Sequence, residues 1–382
     1  MQITKSLDQH IAVFGESGSG KTVLLSSFYG FAQEPDFIEK SLYRIVSDDI
    51  GQGNHLHQNY LGMRRDDRTP VGNKFAARTY SFSIKPKAEN FQNGAKSPFN
   101  SLKLIWHDYP GEWFENGTGS AEEEQRRIET FKALLQSDVA LLLVDAQRLI
   151  DNEGDEERYL KSLISNFKNG LLSLQDDLLT NDKRLTKFPR IWMFALSKSD
   201  LLPDFSVFDF RDIMIAKAAG EIEELRSVLA GLIEAKEALS VGEDYTLVSS
   251  AKFQSGKIDL AQRVGLDLIL PISSALPFQR HLRWANTMEL PGKVGKELLE
   301  GVGSVAYFLK KHQNRMPLPV ANMVNRINPV AFATVAKLAG EALGEVHKQA
   351  LAKKNYLSAI LSGFQMELEK AEATKVLIRS QQ

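Results

Sequence analysis

The chain has 382 residues and a formal net charge of −1, with 43% hydrophobic and 25% charged residues. That composition supplies enough apolar side chain for a sizeable core and excludes wholesale disorder. It contains no cysteine, which excludes a disulfide framework, a thiolate zinc or iron–sulfur site and a cysteine nucleophile. The net charge hides an asymmetry. Residues 288–382 hold 13 Lys+Arg against 8 Glu and no Asp, a surplus of 5, and the remainder carries a deficit of 6. An acidic body argues against nucleic acid as the main ligand.

Met1–Lys5 leads into polar residues, without the apolar run of a signal peptide. No apolar stretch approaches the roughly 18 residues of a spanning helix. A cytoplasmic location is the expectation. His10–Phe14 reads as a strand that runs into Gly15-Glu16-Ser17-Gly18-Ser19-Gly20-Lys21-Thr22, followed by an apolar helical pattern from Val23 to Phe31. Residues 33–75 are polar and punctuated by glycine and proline, as in turns. Arg78–Lys85 alternates like a strand, and Leu102–His107 is a further strand ending at Asp108-Tyr109-Pro110-Gly111. A charged helix is predicted over 121–136. Val139–Val144 is the unbroken apolar run of a strand buried on both faces. A long amphipathic helix follows over 155–179, then a buried strand over 190–196 that ends at Ser197-Lys198-Ser199-Asp200. Residues 211–240 are predicted helical, and Tyr245–Val248 and Leu268–Ile272 are strand candidates. After Met288 strand signals stop and the rest reads as helix. Strands alternating with helices over some 280 residues predict an α/β body with a mostly parallel sheet.

Residues 15–22 match G-x-x-x-x-G-K-[ST] in full. Triphosphate oxygens require many backbone N–H donors at close range, and side chains at the glycines would block that approach. The helix opened by Lys21, Thr22 and Val23 turns its positive end to the anion. Lys21 is expected to reach the β- and γ-phosphates and Thr22 to ligate Mg²⁺. Asp108 follows an apolar strand in D-x-x-G spacing, where a carboxylate holds Mg²⁺ and the Gly111 backbone N–H senses the γ-phosphate. Ser197-Lys198-Ser199-Asp200 resembles the [NT]-K-x-D loop that reads guanine. The Asp200 carboxylate would accept from the ring N–H and the amino group together, Lys198 would pack on the base, and Ser197 departs from Asn or Thr at the first position. Ser250-Ala251-Lys252 is the preferred base-contacting loop because its lysine is present, with Ser273-Ser274-Ala275 as a rival. Thr69 is the candidate switch threonine, joining Mg²⁺ and the γ-phosphate. Arg64, Arg65 and Arg68 flank it and invite comparison with an arginine finger, although a solvated basic loop explains them as well. His55-Leu56-His57 reads as polar loop rather than metal site.

These five segments, in this order, resemble a P-loop GTPase of the TRAFAC class. His107-Asp108-Tyr109-Pro110-Gly111-Glu112-Trp113 resembles the signature of YcjX-like bacterial P-loop proteins and their double-GTPase relatives. The resemblance covers about residues 10–275. It implies a GTPase body, taken as 1–287 with insertions near 30–68 and 201–244, while 288–382, read from its pattern as a helical region, lies outside the resemblance. It also implies GTP/GDP and Mg²⁺ as ligands and slow hydrolysis that serves a switch. Ras-like members place Gln after the D-x-x-G glycine to orient the attacking water. Glu112 stands there instead, so a nucleotide-binding scaffold with little turnover is the alternative, and an ATP-dependent P-loop protein a further one. A protein effector or self-association through 288–382 is the expected partnership. Contact with a membrane surface has too few lysines behind it to be established.

Overall fold

A computed structural model describes residues 5–70, 78–87, 99–109, 111, 121–179, 183–186, 188–254, 257–287, 347–348, 351 and 356–380. Strand β1 (Lys5–Phe14) leads through the phosphate-loop segment into α1 (Lys21–Phe31). Next come α2 (Pro35–Lys40), β2 (Tyr43–Ser47), α3 (Ile50–Asp66), β3 (Arg78–Pro86) and β4 (Phe99–Asp108). The middle of the chain supplies α4 (Ala121–Leu134), β5 (Val139–Asp145), α5 (Ala146–Asp151), α6 (Glu156–Ser173), α7 (Gln175–Leu178) and β6 (Ile191–Ser197). The last part holds α8 (Val207–Leu232), β7 (Ser240–Leu247), the hairpin β8 (Lys252–Gln254) and β9 (Lys257–Asp259), α9 (Ile269–Thr287), α10 (Tyr356–Ala373) and β10 (Leu377–Ile378).

Eight strands form one sheet in the order β10-β7-β6-β5-β1-β4-β3-β2. The five from β7 to β4 run parallel, while β3, β2 and β10 are each antiparallel to the neighbour they extend. Helices cover both faces. Ile11 and Val13 of β1 enter one core with Leu25 and Phe28 of α1. Ala12 and Phe14 enter the other, with Phe131 of α4 and Phe167 of α6. Every residue of β5 and β6 is buried. This accounts for their unbroken apolar runs, because a strand covered on both faces needs no polar alternation. The α/β architecture with a mostly parallel sheet is therefore the one expected.

Three readings of the sequence are corrected. Residues 33–75, read as turn-rich, contain α2, β2 and α3. In α3, Leu56, Tyr60 and Met63 form the buried stripe, and Gly53, one of the glycines that suggested turns, serves close approach. A Cβ on Gly53 would lie 2.8 Å from Ser47 Cβ and 2.9 Å from the Tyr29 hydroxyl. Leu268–Ile272, a strand candidate, opens α9 instead, since a short apolar run fits a buried helix as well as a strand. The predicted helix over 211–240 runs over 207–232. It starts at a capping box in which Ser206 and Asp209 bond reciprocally, and β7 already begins at Ser240.

The expectation that strands stop after Met288 is also corrected. Leu377 and Ile378 pair with Thr246 and Tyr245 and extend the sheet at the β7 edge. A buried ionic cluster pins this return. Asp244 Oδ1 accepts from Arg280 Nη2 at 2.9 Å and from the Ser380 N–H at 3.0 Å, and Oδ2 accepts from Ser240 Oγ at 2.8 Å. Asp244 is fully buried and Arg280 2% exposed. The cluster thus ties α9, β7 and the end of the chain together. Asp244→Ala would leave the Arg280 charge buried without its carboxylate. Chemical denaturation should show a loss of roughly 3–5 kcal/mol. A loss below about 1 kcal/mol would mean that the cluster does not hold the C-terminal strand.

Candidate functional site

The five parallel strands bring their carboxyl ends to one side of the sheet. β1 is where the connections change direction, with β4 on one flank and β5 on the other. In open α/β sheets the crevice outside such a switch point is where ligands bind. The segments that follow β1, β4, β5, β6 and β7 all lie there.

The segment after β1 is the phosphate loop. Gly18 and Gly20 adopt φ of 79° and 91°, the left-handed region that glycine enters without steric cost. Gly20 is the N-cap of α1 and supplies no side-chain cap, so the first N–H groups of Lys21, Thr22 and Val23 face the loop as donors. Lys21 Nζ donates to the Gly15 carbonyl at 2.6 Å and to the Glu16 carbonyl at 3.0 Å, which holds the ammonium across the loop. Ser19 N donates to Glu16 O at 3.2 Å. Ser19 Oγ is buried with no hydrogen-bond partner among the described residues. Glu16 is nearly buried, and its carboxylate and the neighbouring Ser17 carbonyl face Arg148 of α5, at 2.6 Å and 3.2 Å.

Asp108, the last residue of β4, is 7% exposed. Its Oδ1 is buried, with no hydrogen-bond partner among the described residues. Burial pushes the carboxyl up to about 6, against the pull of Lys21 and Arg78. A desolvated carboxylate oxygen with unused acceptor capacity is the hard oxygen donor that suits Mg²⁺. His107 precedes it and stacks on His10, with Nδ1 of His10 3.2 Å from Nε2 of His107. Burial and the neighbouring imidazole lower His107 to about 4. Gly111 closes the turn directly on the phosphate loop. A Cβ there would fall 2.2 Å from Ser17 N and 2.4 Å from the Glu16 carbonyl carbon, so only glycine lets these two backbones touch. Glu112 lies outside the described residues.

After β6, Lys198 takes a left-handed φ of 54°, a strained conformation of the kind that clusters at functional loops. Its Nζ pairs with Asp145 Oδ2 at 2.6 Å. Ser197 Oγ donates to the Val144 carbonyl at 3.2 Å and so braces the loop against β5. Asp200 Oδ1 accepts from Ser249 Oγ at 2.6 Å, and Oδ2 accepts from the Phe253 N–H at 3.0 Å. These two bonds stitch the Ser197–Asp200 loop to the Ser249–Lys252 segment after β7. They leave further acceptor positions on the carboxylate, which offers about four lone pairs. In that segment Ser250 is buried, Ala251 is fully buried and Lys252 opens β8. The rival Ser273-Ser274-Ala275 lies inside α9, where Ser273 and Ser274 donate to the Leu270 carbonyl. It is not a loop at the strand ends.

Thr69 is exposed, two residues beyond Asp67, whose carboxylate accepts from the Ile258 N–H at 2.6 Å. Arg64 pairs with Glu34, beyond the far end of α1. An 11-residue helix is about 16 Å long, and Lys21 stands at its other end. Among the described residues no hydrogen bond joins Thr69, Arg65 or Arg68 to the phosphate loop. Three residues that sequence reasoning missed do belong here: Asp145, Arg148 and Ser249. Asp145 ends a buried apolar strand as Asp108 does, and that signal could have found it. Nothing in the sequence links Arg148 to Glu16, 132 positions away.

Residues 9–181 match the family model described as Double-GTPase 2. The match includes the phosphate loop, the Asp108 turn, Asp145 and Arg148, and ends before β6. No curated protein matches the chain. Among solved structures it is similar to one titled a signal recognition particle receptor SRb-GTP/SRX complex from Chaetomium thermophilum. That likeness has 18% identity and a TM-score of 0.34, and covers 65% of this chain and 93% of that one. A second, titled Methanosarcina barkeri Roco2 RocCORdC bound to GDP, has 12% identity and a TM-score of 0.25, and covers 78% of this chain and 64% of that one. Residues 9–181 thus resemble the double-GTPase family, and the parallel sheet, whose phosphate loop, Asp108 turn and Ser197–Asp200 loop share one edge, has the P-loop NTPase architecture.

Proposed function

We propose that the protein binds guanine nucleotide with Mg²⁺, hydrolyses GTP slowly and works as a nucleotide-dependent switch. The observation that carries this reading is the convergence of Lys21, Asp108, Gly111 and Asp200 at the carboxyl edge of one sheet. The loop N–H groups and the start of α1 would cradle the phosphates, with Lys21 as the mobile cation. Thr22 and Asp108 would hold Mg²⁺, which neutralises phosphate charge when bound. Asp200 would accept from the guanine edge, with Lys198 and the Ser250-Ala251-Lys252 loop around the base. Gly111, in contact with the Glu16–Ser17 backbone, is the natural sensor of the terminal phosphate. Its N–H and the loop share a boundary that an added phosphoryl group must enter. Phosphoryl transfer is catalysed mainly by positioning and charge stabilisation, so slow turnover needs little more than these groups and a placed water.

The reading treats 1–287 as the GTPase body, with 30–68 and 201–244 as its enlargements. The basic 288–382 region is its contact for a protein effector or a second copy. Among the described residues no helix is long and apolar enough to cross a membrane, and the proposed location is the cytoplasm. A scaffold with little turnover is the second reading. It is favoured by Glu112, which stands where Ras-like members place the Gln that orients the attacking water.

Calorimetric titration in Mg²⁺ should show GTP and GDP binding, with ATP weaker by roughly two orders of magnitude. Equal affinity for ATP would remove the guanine assignment. Lys21→Ala should weaken GTP roughly 10- to 100-fold, the equivalent of about 1.4–2.8 kcal/mol. Asp200→Ala should weaken GTP by a similar factor while leaving any residual ATP binding unchanged. Single-turnover phosphate release separates the two readings. Turnover that disappears in Lys21→Ala supports the switch, and its absence from the wild type supports the scaffold.

A further inference from the structure

Glu16 is an unusual residue to find inside a loop that cradles a polyanion. It occupies the second position of the phosphate loop with its side chain only 9% exposed. Its carboxylate therefore adds a poorly hydrated negative charge next to the site where phosphates are to bind. Arg148 lies against it. The guanidinium reaches from α5 and bonds the Glu16 carboxylate through Nη1 at 2.6 Å and the Ser17 carbonyl through Nη2 at 3.2 Å. Ser17 is also the residue on which Gly111 rests. The arginine thus stands behind the part of the loop that meets the D-x-x-G turn, the end at which a terminal phosphate would arrive.

The helix that carries Arg148 is itself fixed. Asp145 caps it through the Gln147 N–H at 2.9 Å. The other oxygen of Asp145 holds Lys198 of the base-side loop at 2.6 Å. The Asp145 N–H donates to the Tyr159 hydroxyl at 3.0 Å. A continuous set of polar contacts therefore runs from the base-side loop through α5 to the phosphate loop, and Arg148 is its last member.

From this geometry we infer that Arg148 is a positioning residue for the terminal phosphate: it neutralises Glu16 and holds the Ser17 peptide, so that the loop accepts a triphosphate over a diphosphate. This rests on the guanine-nucleotide reading above. Without the arginine, Glu16 repels the added phosphoryl group, and the Ser17 carbonyl loses the donor that orients its peptide. GDP, with one phosphate fewer at this end, is affected less. A planar two-point contact of this kind suits arginine and is only half reproduced by lysine.

The test is calorimetric titration of GTP and GDP in Mg²⁺ on four proteins: wild type, Arg148→Met, Glu16→Gln and the double variant. Arg148→Met should weaken GTP roughly tenfold and GDP by less than about threefold, a loss scaled down because the guanidinium is partly exposed. Glu16→Gln should leave GTP affinity equal to wild type or tighter. The double variant should recover GTP to within about threefold of wild type, because removing the carboxylate removes the need for the cation. A merely structural arginine would weaken both nucleotides alike and would not be rescued by Glu16→Gln. Equal losses for GTP and GDP, or a double variant as weak as Arg148→Met, would overturn the inference. Should Arg148→Met fail to fold, the double variant and Arg148→Lys decide it through the same GTP-to-GDP ratio: a near-wild-type ratio in the double variant with a partial loss in Arg148→Lys supports the inference, and a collapsed ratio in the double variant overturns it. A wild type that binds no guanine nucleotide would instead remove the reading on which the inference stands.

Discussion

The burial of β1 on both faces and both flanks is the constraint on which the rest depends. Its residues Ile11 to Phe14 are fully buried, hydrogen-bonded to β4 on one side and β5 on the other, both parallel. A strand so enclosed has one way out, through its carboxyl end. Parallel pairing places the carboxyl ends of its neighbours at the same level, and the phosphate loop, Asp108 and Asp145 follow from that arithmetic. The glycines then decide how closely the segments meet. Gly111 lies so near the Glu16–Ser17 backbone that any side chain would collide with it, and the Asp108 turn and the phosphate loop form one surface.

Charge around this surface is local and paired. The body of the chain is acidic, so bulk attraction cannot bring a polyanion to the loop. Backbone N–H groups, the start of α1 and Lys21 must do so at short range. The carboxylates nearby have separate fates. Glu16 is matched by Arg148 and Asp145 by Lys198. Asp108 keeps a buried oxygen without a hydrogen bond, and its carboxyl is pushed up towards 6. That difference singles out Asp108 as the carboxylate with capacity for a cation, since a buried charge is retained only where something compensates it.

The far edge of the sheet has its own ionic centre. Asp244 and Arg280 are both withdrawn from water, and the pair also takes in Ser240 and Ser380. Their bonds anchor β10 to β7, the strand whose end carries the Ser249–Lys252 segment. The final residues of the chain thereby support the strand that presents one of the loops of the candidate site, although they lie far from that site in sequence.

Short, chemically specific motifs were legible without coordinates. The phosphate loop, the Asp108 turn and the Ser197–Asp200 loop each follow a predominantly apolar segment that reads as a strand. The alternation of such runs with helical patterns fixed the α/β class. The segment over 33–75 was illegible in part because Gly53, which reads as a turn signal, marks a close contact with Ser47 and Tyr29 that exists only after folding. Leu268–Ile272 was ambiguous because a run of five apolar residues carries no period. What the sequence by itself determined was local: which segments can cradle phosphate, hold a cation or read a base, since those tasks demand particular residues at fixed spacing. What only the tertiary structure decided was adjacency. It placed Arg148 on Glu16, Lys198 on Asp145 and Ser249 on Asp200, because contacts between residues tens to more than a hundred positions apart are set by strand order and helix packing rather than by any pattern along the chain.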